Sequence, residues 1–454
     1  MGGLGVSVLA RQKPTERLLS YLKAKSIRLP VMSLVYSASL LAKEHDVSVV
    51  DAANLDLDPE ETLQKIEEIK PDWILSTTSI ASLFQEANFL SHLKKHINVT
   101  TVLMGDAATF FSSKILEDFS IDFIVKGDEP EIIVEQLCLE KDPQNIKGLV
   151  YRKNNQTIDT GDPAMIGDLN TLPFPRWDLF PMRAYRYFPI LRKIPFATIL
   201  STRGCPYGCI YCPYTSNQGL KYRFRSAQNV LDELLYLKEK FNIRSVQFRD
   251  PTFTLKKDRT LEICKGMVEN KLDLEWGCET RLDCLDESLI EKMAEAGCKG
   301  VNVGIESSSP DVIKNVKRGW IDPNHIQKMV ERMIQNKIRV SGFFIIGLPG
   351  ENRKSVEDTL KFAVQIPLSY AEFKIATPFP GTPLFEMAKK NGWINEVKVE
   401  EYTSYTPSMR MSEELDPLYL KEAANRAYFS FYMRPQKIFR EIFSTSFLQG
   451  LART

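Results

Sequence analysis

Hydrophobic residues in the first 150 positions form short continuous runs, which alternate with segments of helical spacing. The short runs predict buried parallel strands, and they are VSVLA, DVSVVDA, DWILSTTS, TVLMGD and DFIVKGD. The intervening segments have apolar residues on one helical face, as in PEETLQKIEEIK and ASLFQEANFLSHLKKH. This alternation predicts a doubly wound, Rossmann-like α/β domain over residues 1–150.

Small and polar residues follow three of these predicted strands. Ligands of a doubly wound sheet bind beyond the carboxyl ends of its strands. The residues expected there are Ser76, Thr77, Thr78, Ser79, Gly105, Asp106, Gly127 and Asp128. On composition alone, a ligand site and a set of ordinary turn residues explain these positions equally well.

A strand followed by a helix repeats six times over residues 196–385. The predicted strands are FATILS, RSVQFRD, LEWGCET, KGVNVGIE, RVSGFFIIG and AEFKIATP. Six such units predict an open, partial (βα)6 barrel. Because working residues of a parallel barrel follow its strands, we expect one face to carry Cys205, Asp250, Glu279, Arg281, Glu306, Gly347 and Pro378.

Two flanking segments lack this regular pattern. Residues 151–195 are rich in proline and aromatic residues, which predicts a linker that packs across a domain junction. Residues 386–454 have a mixed helical pattern with aromatic, Arg and Lys residues interleaved. This pattern favours helices docked on the barrel over a helix at a membrane surface.

Length and charge narrow the class of protein. A chain of 454 residues favours two or three domains. Its 59 Lys and Arg residues are balanced by 58 Asp and Glu residues, whereas a nucleic-acid-binding domain is strongly basic. The chain has no apolar run long enough to span a bilayer, and its start, MGGLGVSVLARQ, lacks the regions of a signal peptide. We therefore expect a cytoplasmic protein without a nucleic-acid partner or a transmembrane segment.

Three of the eight cysteines cluster in the segment STRGCPYGCIYCPY, at positions Cys205, Cys209 and Cys212. A structural zinc site needs four ligands, and no second cysteine pair or nearby histidine completes one here. Iron–sulfur clusters generally take four protein ligands, so three cysteines would leave one iron open to an exogenous ligand. The other cysteines lie in apolar or helical surroundings and are expected to be small buried hydrophobes: Cys138, Cys264, Cys278, Cys284 and Cys298.

The cysteine spacing, with an aromatic residue before the last cysteine and six βα units after it, resembles radical S-adenosylmethionine (SAM) enzymes. The resemblance implies a 4Fe–4S cluster on the three cysteines, whose open iron binds SAM. One-electron reduction, from a donor such as ferredoxin or flavodoxin, would then cleave SAM to methionine and a 5'-deoxyadenosyl radical. The SAM contacts that the resemblance implies are Tyr211, Glu279, Arg281, Glu306, Ile345 and Gly347. The family's usual glutamate in the fifth-strand motif is displaced here to Glu351.

Residues 28–445 also resemble the cobalamin-dependent branch of this family, the class B methyltransferases. The segments SLVYSASLLAKEHDVSVVDA, DWILSTTSI, VLMGDAATF, IDFIVKGDEPE and LPFPRWDLFP stand in that branch's order. The resemblance implies cobalamin at the strand ends of the first domain, from Ser76–Ser79 to Gly127 and Asp128. The chain lacks the D-x-H-x-x-G motif, so a histidine lower ligand from this domain is not expected.

The leading hypothesis is a methyltransferase that methylates an unactivated carbon through a 5'-deoxyadenosyl radical and methylcobalamin. The alternatives are a cobalamin-dependent cyclase or rearrangement enzyme without methyl transfer, and a corrinoid-binding sensor without enzymatic activity. A methylthiotransferase is disfavoured because only Cys138 precedes Cys205, whereas that class holds three more cysteines in its first domain. A small natural product, a lipid or tetrapyrrole, and a protein side chain all remain open as the substrate.

Overall fold

The computed structural model describes residues 27–139, 142–394, 402–435 and 437. These residues form one five-stranded sheet, one six-stranded sheet and two short two-stranded ribbons. The predicted strand VSVLA, at residues 6–10, lies outside the described residues.

The five-stranded sheet has the order β2-β3-β4-β5-β6. Strands β2 (Trp73–Thr77), β3 (Thr100–Met104) and β4 (Phe123–Val125) are parallel, and β5 (Leu149–Lys153) and β6 (Gln156–Asp159) add an antiparallel hairpin. The helices of this part are α1 (Met32–Leu41), α2 (Ala52–Leu55), α3 (Pro59–Ile69), α4 (Leu83–Leu93), α5 (Asp106–Phe110), α6 (Ser112–Asp118) and α7 (Glu131–Cys138).

Helices cover both faces of this sheet. Leu103 and Ile124 pack with α4 and α6, while the neighbouring residues Val102 and Val125 pack with α1 and α7. Successive residues of a strand point to opposite faces, which explains why these strands are continuously apolar. The doubly wound prediction is therefore confirmed.

Two details of this domain differ from the prediction. The segment DVSVVDA is not assigned as a strand: residues 46–51 pair with no strand within the described ranges, and Asp51 caps α2 by accepting the N–H of Asn54. The sheet also continues past residue 150, since β5 and β6 are joined by Asn154 and Asn155, both left-handed with φ of 50° and 59°. Asparagine tolerates this conformation, which a tight hairpin turn requires.

The six-stranded sheet is parallel and has the order β15-β14-β13-β12-β11-β8, so the barrel is open between β15 and β8. Its strands are β8 (Phe196–Ile199), β11 (Ser245–Phe248), β12 (Glu275–Thr280), β13 (Cys298–Glu306), β14 (Arg339–Ile346) and β15 (Tyr370–Ile375). Its helices are α9 (Ala227–Phe241), α10 (Lys257–Glu269), α11 (Glu287–Glu295), α12 (Pro310–Asn315), α13 (Pro323–Gln335) and α14 (Arg353–Gln365). The predicted partial (βα)6 barrel is confirmed.

The linker was predicted over residues 151–195, of which residues 151–159 belong to the hairpin of β5 and β6, and the segment from residue 160 to residue 195 packs on both domains. The N–H of Arg176 donates to the Ser39 hydroxyl of α1 at 2.8 Å, and the Asn302 amide of β13 donates to the Tyr187 hydroxyl at 2.7 Å. Trp177 is fully buried in the barrel core. Strand β7 (Arg186–Tyr187) in this segment pairs with β1 (Ile27–Arg28).

Helices α15 (Pro383–Lys390) and α16 (Pro417–Tyr432) follow the barrel. Helix α16 docks on the edge strand β15, where the N–H groups of Ala371 and Phe373 donate to the hydroxyls of Tyr432 and Tyr428 at 3.1 and 3.2 Å. These bonds satisfy backbone groups that an open sheet edge would expose. The prediction of a docked helix is confirmed for α16, and no helix within the described ranges has the length and apolarity to cross a bilayer.

Candidate functional site

The three clustered cysteines lie on one loop, residues 204–212, which we call the cysteine loop. It connects β9 (Thr202–Arg203) to α8 (Pro213–Asn217), and β9 pairs with β10 (Arg223–Phe224). Backbone bonds hold it: the N–H of Cys205 donates to the Gly219 carbonyl at 3.1 Å, and that of Ile210 donates to the Val316 carbonyl at 3.2 Å. Gly204 has a φ of +80°, and a Cβ there would lie 2.2 Å from the Lys221 carbonyl oxygen. Only glycine fits this start of the loop.

The three thiols suit an iron–sulfur cluster better than a single metal ion. All three are free, Cys209 is buried, and Cys205 and Cys212 are half-buried. Burial raises the pKa of Cys212 to about 12, and the nearby Cys209 and Cys205 act in the same direction. Burial and proximity therefore oppose the ionisation of the three thiols. Cationic iron would balance the negative charge and let them ionise together. Across the described part of the chain, no three His, Cys, Asp or Glu side chains converge as ligands of one ion, whereas in a cluster each cysteine binds a different iron.

The structure brings Tyr211 and Glu306 together beside the cysteine loop. Glu306 ends β13 with a φ of +66°, and Tyr211 lies close enough to its carboxyl group to oppose the increase in its pKa that burial causes. Arg318, buried after α12, lies 3.4 Å from the Glu306 carboxylate. Burial raises the pKa of the Cys209 thiol, and the nearby Arg318 guanidinium acts in the opposite direction. Sequence reasoning missed Arg318, whose only signal was its position in the turn before Gly319. One guanidinium thus links a predicted SAM residue to a predicted cluster ligand.

The other barrel residues form a second polar group at the same edge. Arg281 stacks on the Tyr207 ring of the cysteine loop at 3.7 Å and pairs with Asp283, with 2.8 Å between Nε and Oδ1. Glu279 pairs with Arg249, the residue after β11. The predicted pair Glu279 and Arg281 therefore contacts two different partners rather than one another.

The turn after β14 contains the last two predicted SAM residues. Ile345 packs beside Tyr211 in one apolar cluster. Gly347 has a φ of +80°, and its N–H donates to the Glu351 carboxylate at 2.5 Å, as does the N–H of Leu348 at 3.0 Å. Burial raises the pKa of Glu351 to about 7. The displaced glutamate thus binds the backbone of this turn.

The predicted residues of the first domain lie at the carboxyl edge of its sheet. Gly105 approaches β2 closely, because a Cβ there would lie 2.2 Å from the Thr78 carbonyl oxygen. The Ser76 hydroxyl turns to α4 and donates to Glu86 at 3.2 Å. Thr77 is the last residue of β2. The remaining residues of this edge follow β2, β3 and β4, and they are Thr78, Ser79, Asp106, Gly127 and Asp128.

The edge of the first sheet contacts the barrel just after the cysteine loop. The Gln218 carboxamide donates to Asp128 Oδ2 at 2.6 Å, and the Asn217 side chain lies near Asp106. Burial raises the pKa of Asp106 to about 6, and the neighbouring Asp128 adds to that increase. The carboxyl edges of the two sheets therefore face each other across α8.

Buried ion pairs reinforce this junction. Arg203 pairs with Glu131 at 2.6 Å and Arg223 pairs with Glu129, and all four side chains are less than a tenth exposed. These partners are far apart in sequence, and only the run GDEPE at residues 127–131 gave a signal of an acidic turn.

Known proteins share this architecture. Residues 199–363 match the model of the radical SAM superfamily. An uncharacterized methyltransferase of Pyrococcus horikoshii is 32% identical over 425 residues, which are 91% of this chain and 90% of that protein. An anaerobic magnesium-protoporphyrin IX monomethyl ester cyclase of Rubrivivax gelatinosus is 27% identical over 80% of this chain and 66% of its own.

A solved structure has the same fold over most of the chain. It is the radical SAM methyltransferase TsrM of Kitasatospora setae with tryptophan and a SAM analogue, which has a TM-score of 0.67 and 19% identity over 88% of this chain and 80% of that chain. The cysteine loop at the mouth of the partial barrel, the superfamily match and the extent of the archaeal relative agree. The chain therefore belongs to the radical SAM superfamily of enzymes, which use a 4Fe–4S cluster and SAM.

Proposed function

We propose that the protein is a cobalamin-dependent radical SAM methyltransferase that methylates an unactivated carbon. The observation that carries the proposal is the contact between the two sheet edges at α8, where Gln218 donates to Asp128 and Asn217 lies near Asp106. Ligands of both parallel architectures bind at these edges. A ligand of the first domain would thus face a ligand of the barrel, as a transfer between two cofactors requires.

In this proposal the cluster and SAM bind at the barrel edge. Cys205, Cys209 and Cys212 hold the cluster, while Tyr211 and Ile345 offer an apolar wall beside it. The charged residues proposed to surround SAM are Glu279, Arg281 and Glu306, with Gly347 closing the turn beyond them. These side chains are already fixed by partners, so they can orient a ligand at little further cost in entropy.

Cobalamin is proposed to bind at the edge of the first sheet, without a histidine ligand from this domain. The fit rests on the small residues there, Thr78, Ser79 and Gly105, since Gly105 approaches the Thr78 carbonyl too closely for any Cβ and leaves the edge free of large side chains. When bound, the cluster and cobalamin would supply the electron-transfer and methyl-transfer chemistry that amino-acid side chains lack.

The archaeal relative named as a methyltransferase, which matches 91% of this chain, supports methyl transfer. The second candidate is a cyclase or rearrangement enzyme with the same two cofactors. It is favoured by the Rubrivivax relative, whose name is that of a cyclase and which matches 80% of the chain. A sensor that only binds a corrinoid would share the first domain but would not cleave SAM.

The proposal can be tested with the full chain, purified without oxygen and reconstituted with iron, sulfide and hydroxocobalamin. With dithionite and SAM labelled in its methyl group, we expect 5'-deoxyadenosine to form and label to enter the corrinoid fraction. Deoxyadenosine without labelled corrinoid would favour the cyclase, and neither product would favour the sensor.

Two cysteine variants test the cluster site in the same assay. Cys209→Ala is expected to lose bound iron and deoxyadenosine formation, because a cluster ligand is missing. Cys264→Ala removes another buried thiol, within α10, and is expected to keep both. Full deoxyadenosine formation by Cys209→Ala would contradict the cluster assignment.

We also propose that a ferredoxin or flavodoxin supplies the electron in the cytoplasm. All eight cysteines are free thiols, which suits a reducing compartment. A small natural product, a lipid or tetrapyrrole, or a protein side chain is the proposed methyl acceptor.

A further inference from the structure

A single carboxamide connects the first domain to the start of the cysteine loop. Gln218 follows α8 and is only 5% exposed. Its Nε2 donates to Asp128 Oδ2 at 2.6 Å, and its Oε1 accepts the N–H of Gly204 at 3.1 Å. Gly204 directly precedes Cys205. The side chain thus bridges a residue of the first sheet's edge and the backbone that carries the first cysteine.

The chemistry of the two partners fixes the orientation of this amide. A backbone N–H can only donate, and an ionised carboxylate can only accept. The oxygen of Gln218 must therefore face Gly204 and its nitrogen must face Asp128. No other arrangement of the amide satisfies both partners, so Gln218 transmits the position of Asp128 to the cysteine loop.

Asp128 is itself held in place by its neighbours. The following residues Glu129 and Glu131 are paired with Arg223 and Arg203 of the ribbon β9–β10. Arg203 directly precedes Gly204, and the Gln218 carbonyl accepts from Arg223 at 2.9 Å. The acidic turn, residues 127–131, is thus clamped to both chain segments that flank the cysteine loop. A shift of this turn must move the loop as well.

We propose that Gln218 is a positioning residue, through which the first domain sets the geometry of the cysteine loop. This inference rests on the proposed cluster at that loop and extends it. A change at the edge of the first sheet, including occupation by a ligand, would reach Cys205 through the path Asp128, Gln218 and Gly204. The cluster environment would then depend on the first domain, which lies outside the barrel.

We call the path from Asp128 through Gln218 to Gly204 the relay. An exchange of hydrogen-bond donor and acceptor within it tests the proposal. Gln218→Glu keeps an oxygen for Gly204 but places a carboxylate against Asp128, whereas Asp128→Asn combined with Gln218→Glu restores a donor opposite an acceptor at unchanged net charge. Gln228→Glu is the matched control, because Gln228 is exposed on α9 and also donates to an aspartate, Asp232, at 2.7 Å.

The first measurement is amide hydrogen exchange in the metal-free full chain, over a peptide that contains Gly204 and Cys205. Gln218→Glu loses the hydrogen bond to Asp128. Loss of this one buried hydrogen bond is expected to speed exchange in the peptide about tenfold. The double variant is expected to return to the wild-type rate, and Gln228→Glu is expected to match the wild type. Unchanged exchange in Gln218→Glu, or no return in the double variant, would overturn the proposal.

The second measurement is the electron paramagnetic resonance spectrum of the reduced, reconstituted protein, with and without SAM. Gln218→Glu is expected to shift the spectrum and the double variant to restore it, which a general loss of stability would not do. Gln218→Met has a side chain of similar length but no amide, and it is used if the charged variants fail to fold. An unchanged exchange rate and an unchanged spectrum in Gln218→Met would also refute the relay. If the wild type takes up no cluster, the proposed function is wrong. The hydrogen-exchange measurement still tests the relay in that case, because it uses the metal-free protein.

Discussion

At the carboxyl edge of the barrel, carboxylates stand beside guanidinium groups, whereas the edge of the first sheet consists of hydroxyls, glycines and two aspartates. On the barrel, Glu306 lies near Arg318 and Asp283 pairs with Arg281. On the first sheet, the neutral carboxamide of Gln218 donates to Asp128, and that of Asn217 lies near Asp106. The two edges face each other, yet they differ in charge pairing.

This difference matches the ligands proposed for each edge. SAM carries an ammonium, a carboxylate and a sulfonium, so preorganised charged groups can bind and orient it. The broad face of a corrin ring is better accommodated by small side chains that let the backbone approach closely. If both ligands bind as proposed, the barrel edge selects its ligand by charge and the first sheet's edge by shape. The three predictions that follow test this division.

The largest effect on stability is expected at the buried ion pair between Arg203 and Glu131, which joins the two domains. Arg203→Leu leaves the fully buried Glu131 without its guanidinium, and an uncompensated buried charge costs about 3–5 kcal/mol in the free energy of unfolding. Urea titration followed by circular dichroism measures the change.

Lys292→Leu is the control for this prediction, because it breaks an exposed ion pair with Glu295. Exposed pairs contribute little, so the midpoint of the control should stay within error of the wild type. Equal midpoints for Arg203→Leu and Lys292→Leu would show that the buried pair does not hold the domains together.

Shape should matter most at Gly105, on the first sheet's edge. A side chain there meets the Thr78 carbonyl oxygen at 2.2 Å and must adopt a φ of +108°, a strain of about 1–3 kcal/mol before the clash is counted. Gly105→Ala is therefore expected to lower the urea midpoint and to weaken binding of hydroxocobalamin, measured by absorbance titration. Gly167→Ala, where nothing lies within 4 Å, is the control. A cobalamin affinity that Gly105→Ala leaves unchanged would argue against a shape-selective edge.

The barrel was more predictable from sequence than the first domain, for physical reasons. The segment AQNVLDELLYLKEKF coincides with α9, because Ser226 caps its start and the left-handed Asn242 ends it. Side-chain caps also mark the starts of α11, α13 and α14, at Asp286, Asp322 and Asn352. The segment DVSVVDA has the apolar residues of a strand but pairs with no strand in the part of the chain that the structure describes, and pairing cannot be read from a single segment.

The candidate site shows the same limit. Topology placed Cys205, Glu306 and Gly347 at one edge, because residues after parallel strands share a face. Arg203 and Glu131 are 72 positions apart, and their pairing depends on how two domains dock. Gln218 had no local signal either, since its role comes from partners on two different loops. The sequence pattern therefore could not predict contacts between segments that are far apart in the chain.

The smallest effect is expected from the pH dependence of stability at Asp106. Burial raises the pKa of this carboxyl from 3.8 to about 6 in the folded protein, so the folded state binds a proton more tightly than the unfolded state. The stability that the protonated Asp106 carboxyl contributes is complete below the unfolded pKa of 3.8, and it is lost as the pH rises through about 6. The free energy of unfolding should fall over this window by at most about 1.4 kcal/mol per pH unit.

Asp106→Asn removes this titration, so its stability should vary less than that of the wild type between pH 4 and pH 6 and should exceed it at pH 7. Urea midpoints across that range measure the difference, and Asp118→Asn, on the exposed end of α6, is the control that should follow the wild type. If Asp106→Asn kept the wild-type pH profile, the aspartate would already be balanced by a cation in the folded protein. The first sheet's edge would then select its ligand by charge, as the barrel edge does.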